Sequence, residues 1–235
     1  MSAASHQAHY LVRAVAAVAL VLSLPVILVT AATSLAHYRQ WPFFVHDRVG
    51  LGGRTFRLLK IRTLPPATNP YVDKYELRQT AVPRAMALVR RLHLDELPQL
   101  VHVVRGQMAF VGPRPEMRVL HERLPRRFAE TRTAVLPGLT CLWQISPHCA
   151  GLIGERPEYD RLYVEHRGTR LDLWIVGRTV VKMLTGRTAH LHEIPQWAVA
   201  STGSTAPGEA AALSEPLRPQ PTQTTVSSPH VGLVD

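Results

Sequence analysis

Cysteine, acidic residues and long apolar runs are all scarce in this chain. Of its 235 residues only Cys141 and Cys149 are cysteines. No CxxC pair or matching histidine pattern accompanies them, so neither a disulfide framework nor a zinc site is indicated. Two reduced thiols fit a cytoplasmic fold. Aromatic residues make up 6% and do not interleave with the basic ones as stacking platforms would, which argues against nucleic acid as a partner. Only one uncharged stretch is long, which excludes a multi-span membrane protein. No internal repeat is present.

The long stretch is 14–36, twenty-three uncharged residues bracketed by Arg13 and by His37 and Arg39. It is long enough to cross a bilayer as a helix and longer than the apolar core of a signal peptide. Pro25 lies near its middle, where it removes a backbone donor, and Ser23 can help satisfy a freed carbonyl. A helix broken there can cross or turn back, and hydropathy leaves both open. Basic residues outnumber acidic ones 27 to 17, and the excess is concentrated. Residues 39–91 hold eleven Lys and Arg against Asp47, Asp73 and Glu76, a net charge of +8 directly after the apolar run. A basic block in that position reads as facing the cytoplasm against anionic headgroups.

A hairpin is expected from 43–46 and 55–61 around Gly50, Gly52 and Gly53. No GK[ST] follows, so these glycines read as a turn and not a phosphate loop. Short helices are expected over 83–91 and from Asp95 to Val104, an apolar strand over 108–111, a helix over 116–127 and an extended segment over 139–145. Two further helices fit 158–166 and 171–184; the latter suits either a membrane interface or ordinary packing on the core. From Ala198 the composition shifts to Ser, Thr, Ala and Pro without aromatics, as in a disordered tail. The chain thus divides into 1–40, 41–197 and 198–235.

Chemistry concentrates in RRLHLDELPQLVHVVRGQMAFVGPRPE, residues 90–116. Proline is tolerated only in the first turn of a helix, so Pro98 puts Asp95 and Glu96 at a helix start. An Asp there can be a helix cap, a nucleophile or a metal ligand, and the two residues alone do not decide. Gly112-Pro113-Arg114-Pro115 confines the backbone around one arginine, which suits a phosphate contact. Lys60 and Arg62 leave the hairpin, and Arg90 and Arg91 precede the carboxylates. Two acids among cations is a recurrent arrangement for phosphoryl transfer with Mg²⁺.

These segments resemble the bacterial sugar transferase family, the monotopic phosphoglycosyl transferases that start glycan assembly on polyprenyl phosphate. The matching pieces are LSLP, DRVGLGGRTFRLLKIRTL, LHLDELPQLVHVVRGQMAFVGPRPE, PGLTCLWQIS, YDRLYVEH and LDLWIVGRTVVKML, in family order over roughly residues 10–187. The resemblance implies a small α/β (α+β, mostly helical) catalytic domain with a re-entrant N-terminal membrane helix and interfacial amphipathic helices. It implies a location on the cytoplasmic face of the bacterial inner membrane. It implies a two-step reaction: Asp95 attacks a UDP-sugar to give a phosphoglycosyl-aspartate and UMP, and polyprenyl (undecaprenyl) phosphate then takes the phosphosugar. Glu96 would assist through Mg²⁺, with Asp95 and Glu96 as the metal's carboxylates; Lys60, Arg62, Arg90 and Arg114 would contact phosphate, and Ser23 and Pro25 would form the membrane break. Membrane lipids are expected partners, and a homodimer is left open. Gln107 stands where the family usually has an acid, and Pro147-His148 where it has Gly-Arg. The alternative is a non-catalytic or altered-specificity membrane-bound scaffold of the same fold.

Overall fold

The computed structural model describes residues 3–68 and 80–199, all within one unit, Met1–Ser201. The polar stretch before Thr80 and the expected tail beyond Val199 lie outside the described residues.

Helix α1, Ala3–Tyr38, runs through the apolar segment with Ser23 and Pro25 inside it. Pro25 cannot donate a backbone bond, and nearby the Ser23 hydroxyl donates to the Leu20 carbonyl at 2.9 Å. Most of the segment's apolar side chains are exposed, Leu22 at 74% and Val29 at 68%. A narrow stripe of Ala16, Ile27, Thr30, Ala31 and Ser34 is buried. Both ends of α1 are tied to the same body. Arg13 Nε donates to Val104 O at 2.6 Å; Ser34 Oγ donates to Arg62 O at 2.7 Å and Tyr38 OH to Thr63 O at 3.0 Å.

The expected hairpin forms: β1, Phe43–Val49, pairs antiparallel with β2, Thr55–Ile61. Helix α2, Arg84–Arg91, begins directly after Pro83. A 3₁₀ segment, Leu94–Gln99, holds Asp95, Glu96 and Pro98 and leads into the short helix α3, Leu100–Val104. The helix expected from Asp95 is therefore wound as 3₁₀ over its first half, around the proline.

Strand β3, Ala109–Val111, pairs in parallel with β5, Gly138–Thr140. The two backbones approach so closely that a Cβ on Gly138 would lie 2.1 Å from Gly112 N, and one on Gly112 would lie 2.4 Å from Leu136 O. Only glycine fits at either position. That contact seats the Gly112–Pro115 loop.

Two expectations are corrected here. The helix over 116–127 is absent. Glu116–Met117 instead forms β4, paired antiparallel with β1 through Arg48↔Met117 and Val49↔Glu116. The edge of β1 away from β2 accepts it. Only the turn α4, Arg118–His121, follows, and α5, Arg126–Thr133, begins after Pro125. The extended segment over 139–145 ends at Thr140, because α6, Leu142–Ile145, starts once the Cys141 sulfur accepts the Gln144 amide at 3.3 Å.

Helices α7, Glu158–His166, and α8, Thr169–Thr185, match the expectation, and α9, Gln196–Val199, closes the described chain. The main core is Phe128, Trp143, Ile145, Tyr159, Leu171 and Ile175 with their neighbours. Helix α8 packs on the core through Leu171 and Ile175, which are buried, whereas Leu173, Val180 and Leu184 face outward, half to three-quarters exposed.

Candidate active site

The strand register decides which hairpin side chains meet. Side chains alternate along a strand, so Phe44, His46 and Arg48 share one face of β1. Lys60 is the register partner of Phe44 and joins them. This face forms a wall of a cavity of about 160 Å³. All four cations predicted from the sequence, Lys60, Arg62, Arg90 and Arg114, line it, together with Arg48, Glu116, Trp143 and Leu152. The structure thus gathers residues from 44 to 152 of the sequence into one basic chamber. Asp95 and Glu96 are not in its lining; they sit behind the cations that are.

The two carboxylates have opposite surroundings. Asp95 is 5% exposed, and no ion pair or hydrogen bond to its carboxylate occurs among the described residues. Burial, with Glu96 alongside, raises its carboxyl above the ordinary carboxylate range against the pull of Lys60 and Arg90. Burial would raise Glu96 as well, yet Arg114 and His93 hold its carboxyl well below the usual range. Arg114 Nη2 donates to Glu96 Oε1 at 2.7 Å, and His93 Nδ1 lies 3.6 Å from Oε2. His93 adopts left-handed backbone, φ 52°, a conformation that costs a non-glycine residue energy and is stored at functional sites.

Arg114 is itself fastened on three sides. Its Nη1 donates to Gln144 Oε1 at 2.8 Å, and its carbonyl accepts from Arg132 Nη2 at 2.7 Å. Arg132 in turn pairs with Asp160 at 3.0 Å, both side chains at most 3% exposed. A buried pair of this kind fixes position more than it adds stability. Lys182 donates to the Gln144 carbonyl, and it lies 2.9 Å from Cys149 Sγ.

Burial pushes the Lys60 ammonium down to about 8, with Asp95 opposing and Arg48 and Arg114 reinforcing. Its side chain has no hydrogen bond or ion pair among the described residues and lies over the Phe44 ring at 5.7 Å.

Mg²⁺ is commonly held by one or two carboxylates plus substrate phosphates and water. No cluster of three or more His, Cys, Asp or Glu suited to a metal occurs among the described residues. A buried Asp95 free of protein partners, beside Glu96 and a basic chamber, fits that sparse donor set.

Several side chains here were not singled out from the sequence: Arg48, Glu116, Gln144, Arg132 and Asp160. Arg48 could have been found, since it alternates with Phe44 on the strand facing Lys60. The Arg132–Asp160 pair joins residues 28 apart and carried no local signal. Two departures from the family's pattern also find places. The Leu59 amide donates to His102 Nε2 at 3.0 Å, so Nδ1 carries the proton and donates to Gln107 Oε1 at 2.9 Å. Burial holds this imidazole's pKa down despite the Gln107 bond. Gln107 therefore clips α3 to β2, away from the chamber. The His148 ring rests 6.0 Å from Tyr159 and does not line the chamber. Ser23 and Pro25 lie in α1, apart from the other predicted residues.

A sequence model of the bacterial sugar transferase family matches residues 7–186. Among curated proteins, the exopolysaccharide production protein ExoY of Rhizobium meliloti (strain 1021) is 32% identical over 194 residues, 74% of this chain and 84% of its own. The UDP-N-acetylgalactosamine-undecaprenyl-phosphate N-acetylgalactosaminephosphotransferase of Aeromonas hydrophila is 31% identical over 180 residues, 73% of this chain and 42% of its own. The UDP-glucose:undecaprenyl-phosphate glucose-1-phosphate transferase of Caulobacter vibrioides is 36% identical over 155 residues, 63% of this chain and 58% of its own. The chain thus spans most of the first relative and about half of the other two.

The contrasting carboxylates predict opposite stability effects. A raised folded pKa means that the Asp95 contribution is present below its unfolded value and lost as pH rises, so at pH 7 its ionised form costs stability. Asp95→Asn should raise stability at pH 7 by about 1 kcal/mol, with the gain vanishing in acid. A lowered folded pKa means that the Glu96 contribution is present above its unfolded value and lost as pH falls. Glu96→Gln should lower stability at pH 7 by about 3 kcal/mol, because Arg114 is left buried without its partner. Thermal melts of detergent-solubilised variants at neutral and acid pH read both; equal effects of the two changes would overturn the assignment.

Proposed function

The chain belongs to the bacterial sugar transferase family, and on that premise we propose that it transfers a sugar-1-phosphate from a UDP-sugar to polyprenyl phosphate. The observation that carries the reading is Asp95, buried, without a hydrogen-bond or ion-pair partner among the described residues, beside a chamber of cations that act on it. An unpaired carboxylate in such a place is costly to a fold and useful to a nucleophile. Relatives named as undecaprenyl-phosphate sugar-phosphate transferases support the substrate class.

In the first step an Asp95 oxygen forms a bond to the sugar-proximal phosphorus, and the bond from that phosphorus to the bridging oxygen breaks. The electron pair stays on the bridging oxygen, which departs with UMP. In the second step a polyprenyl phosphate oxygen attacks the same phosphorus and Asp95 leaves as a carboxylate. Glu96, held ionised by Arg114, lends charge for a divalent cation without competing as a nucleophile. Mg²⁺ held by Asp95 and Glu96 would neutralise phosphate charge. Lys60 lines the chamber on the face toward the reacting phosphate, with Arg62, Arg90 and Arg114 around it. A non-catalytic scaffold gains nothing from an unpaired Asp95 in this position.

The membrane arrangement follows from α1. Arg13 and Ser34 are separated by about 31 Å along a straight helix, the thickness of the hydrocarbon core. Both bond to the catalytic body, so a crossing helix would drag that body through the bilayer. On this reading α1 enters and leaves by the cytoplasmic face, which requires it to bend in the membrane at Ser23 and Pro25, residues through which the helix is continuous here. The outward stripe of α8 and the exposed Trp41 and Trp197 rest on the lipid surface. Exopolysaccharide or another membrane-linked glycan is the expected destination of the phosphosugar.

Three measurements test this. Purified protein with Mg²⁺, polyprenyl phosphate and a panel of UDP-sugars should release UMP, and Asp95→Asn should reduce release by at least about 10³-fold; full activity in that variant would sink the nucleophile. Donor kcat/KM should fall as pH rises through about 8, where Lys60 loses its charge in the free enzyme, and Lys60→Arg should move the fall to higher pH. A profile unchanged by Lys60→Arg assigns the limb to another group. Tags at the two termini should both report the cytoplasm, whereas tags on opposite sides would make α1 a true span.

A further inference from the structure

The residues around the basic chamber change in kind from one end to the other. The sheet runs in the order β2-β1-β4, so strand spacing sets β4 about 10 Å from β2. The 3₁₀ segment that carries Asp95 packs against β2 and α1. Just beyond the end of β2, Arg90 Nη1 donates to Thr63 Oγ1 at 3.2 Å. Glu116 stands across the sheet on β4, paired with Val49, whereas Lys60 is paired with Phe44. The two pairs are five residues apart on β1, about 17 Å. The nucleophile and Lys60 therefore mark one end of the chamber, and Glu116 marks the other.

A second cavity, of about 220 Å³, opens at the Glu116 end, and Glu116, Leu120 and Leu152 line both. None of the cations that line the chamber lines it. Its walls are apolar, from Leu120, Leu124, Pro125, Leu152 and Ile153. Its other charged residues, Arg123 and Glu155, are exposed. Glu116 stands at the mouth, its side chain 13% exposed. Its Oε1 accepts the Met117 amide at 3.0 Å and faces Arg48 at 3.5 Å, while Oε2 has no hydrogen bond among the described residues. Cations, an acid with an oxygen to spare and an apolar slot thus follow one another in space.

A nucleoside diphosphate carries its groups in the same order: phosphates, a ribose diol and a flat, largely apolar base. Resting on the transferase reading, we infer that the second cavity binds the nucleoside of the donor, with uracil between Leu124 and Leu152 and the ribose hydroxyls on Glu116. The direction follows from in-line displacement. Attacking and leaving oxygens lie on opposite sides of the phosphorus, so the nucleotide departs on the side away from Asp95. A carboxylate that accepts ribose hydroxyls is also how dinucleotide sites hold that group. The donor's sugar suits the slot poorly, because most of its hydroxyls would be buried against leucine without partners. The acceptor phosphate enters where UMP left, but polyprenyl phosphate has neither base nor ribose. The cavity therefore serves the donor half-reaction alone.

The test uses the full-length protein in nanodiscs with Mg²⁺. Ribose 5-phosphate lacks the base of UMP, so the ratio of their affinities isolates it. Wild type should prefer UMP by about tenfold or more; equal affinities refute the base site. Gly154 lines the second cavity and not the chamber, and a Cβ there would lie 2.9 Å from Leu124 Cδ2. Gly154→Leu therefore fills the slot and should weaken UMP by about tenfold. Its ribose 5-phosphate affinity, and discharge of the preformed phosphosugar-enzyme by polyprenyl phosphate, should stay within about twofold of wild type. Glu116→Ala should remove the preference for UMP over its 2′,3′-dideoxy analogue, about tenfold in wild type. Unchanged UMP affinity in Gly154→Leu, with weaker binding of the UDP-sugar, makes the slot a sugar site and overturns the inference. Equal weakening of UMP and ribose 5-phosphate overturns it too. Photolabelling of wild type with 5-azido-UMP needs no variant to fold: modification within 120–125 or 152–155 supports the slot, and modification elsewhere refutes it. Labelling there in a protein that releases no UMP from any UDP-sugar refutes the reaction and leaves the nucleoside site standing.

Discussion

The contact between Arg114 and Glu96, 2.7 Å long and mostly buried, joins the two halves of the site. One partner comes from the loop between β3 and β4, the other from the 3₁₀ segment before α3. Neither is stable where it is without the other, since an uncompensated charge at such depth costs several kcal/mol. The pair also divides the labour of the adjacent carboxylates. Because Glu96 is satisfied by Arg114, it is ionised and fixed; because Arg114 is spent on Glu96, Asp95 beside it is left without a partner. Behind the pair, the Arg132–Asp160 bridge holds the Arg114 carbonyl, and the glycine contact between β3 and β5 seats its loop. The site is rigid where charge must be positioned and unsatisfied at one carboxylate.

How much of this the sequence disclosed depends on how local each signal was. The hairpin, α2, α7 and α8 were legible because their periodicity and boundaries are local, with proline directly before α2 and α7. The segment after Pro115 was misread as helix because its helical composition competes with an open edge of β1, and strand pairing is decided by partners 67 and 69 residues away. The candidate site was legible in kind: Asp95, Glu96, Lys60, Arg62, Arg90 and Arg114 were named from motif and spacing, and the fold gathers the four cations around one chamber. What could not be read was the use of each charge. Arg114 looked like a phosphate ligand because prolines confine it, yet its donors are committed to Glu96 and Gln144. Arg48 drew no attention, because one arginine on a strand looks like surface charge until the register puts it on the same hairpin face as Lys60.

The two departures from the family's pattern illustrate the same point. A missing acid at Gln107 reads from sequence as a damaged site. In the fold Gln107 accepts from a neutral His102 whose other nitrogen is held by the Leu59 amide. An acid there would favour the charged imidazole, whereas an amide is sufficient for a neutral one. The substitution changes a clip between α3 and β2 and leaves the chamber lining untouched.

The chain's +10 net charge is thus a poor measure of its capacity for phosphate. Arg13 ties α1 to α3, Arg132 is buried against Asp160, Arg178 pairs with Glu193 at 2.7 Å, and Arg114, Arg90 and Arg62 bond to protein oxygens within the chamber itself. Each of these is arginine used as a many-handed hydrogen-bond donor, which is what distinguishes it from lysine. A count of positive residues sums fasteners and ligands alike. What separates them is unspent donors at depth: a buried cation whose nitrogens already reach carbonyls or carboxylates is structural, and one whose nitrogens do not is held in readiness for an anion. By that criterion Arg114, whose terminal nitrogens both reach protein oxygens, fastens the chamber wall, whereas Lys60, with no hydrogen bond or ion pair among the described residues, is held in readiness for an anion.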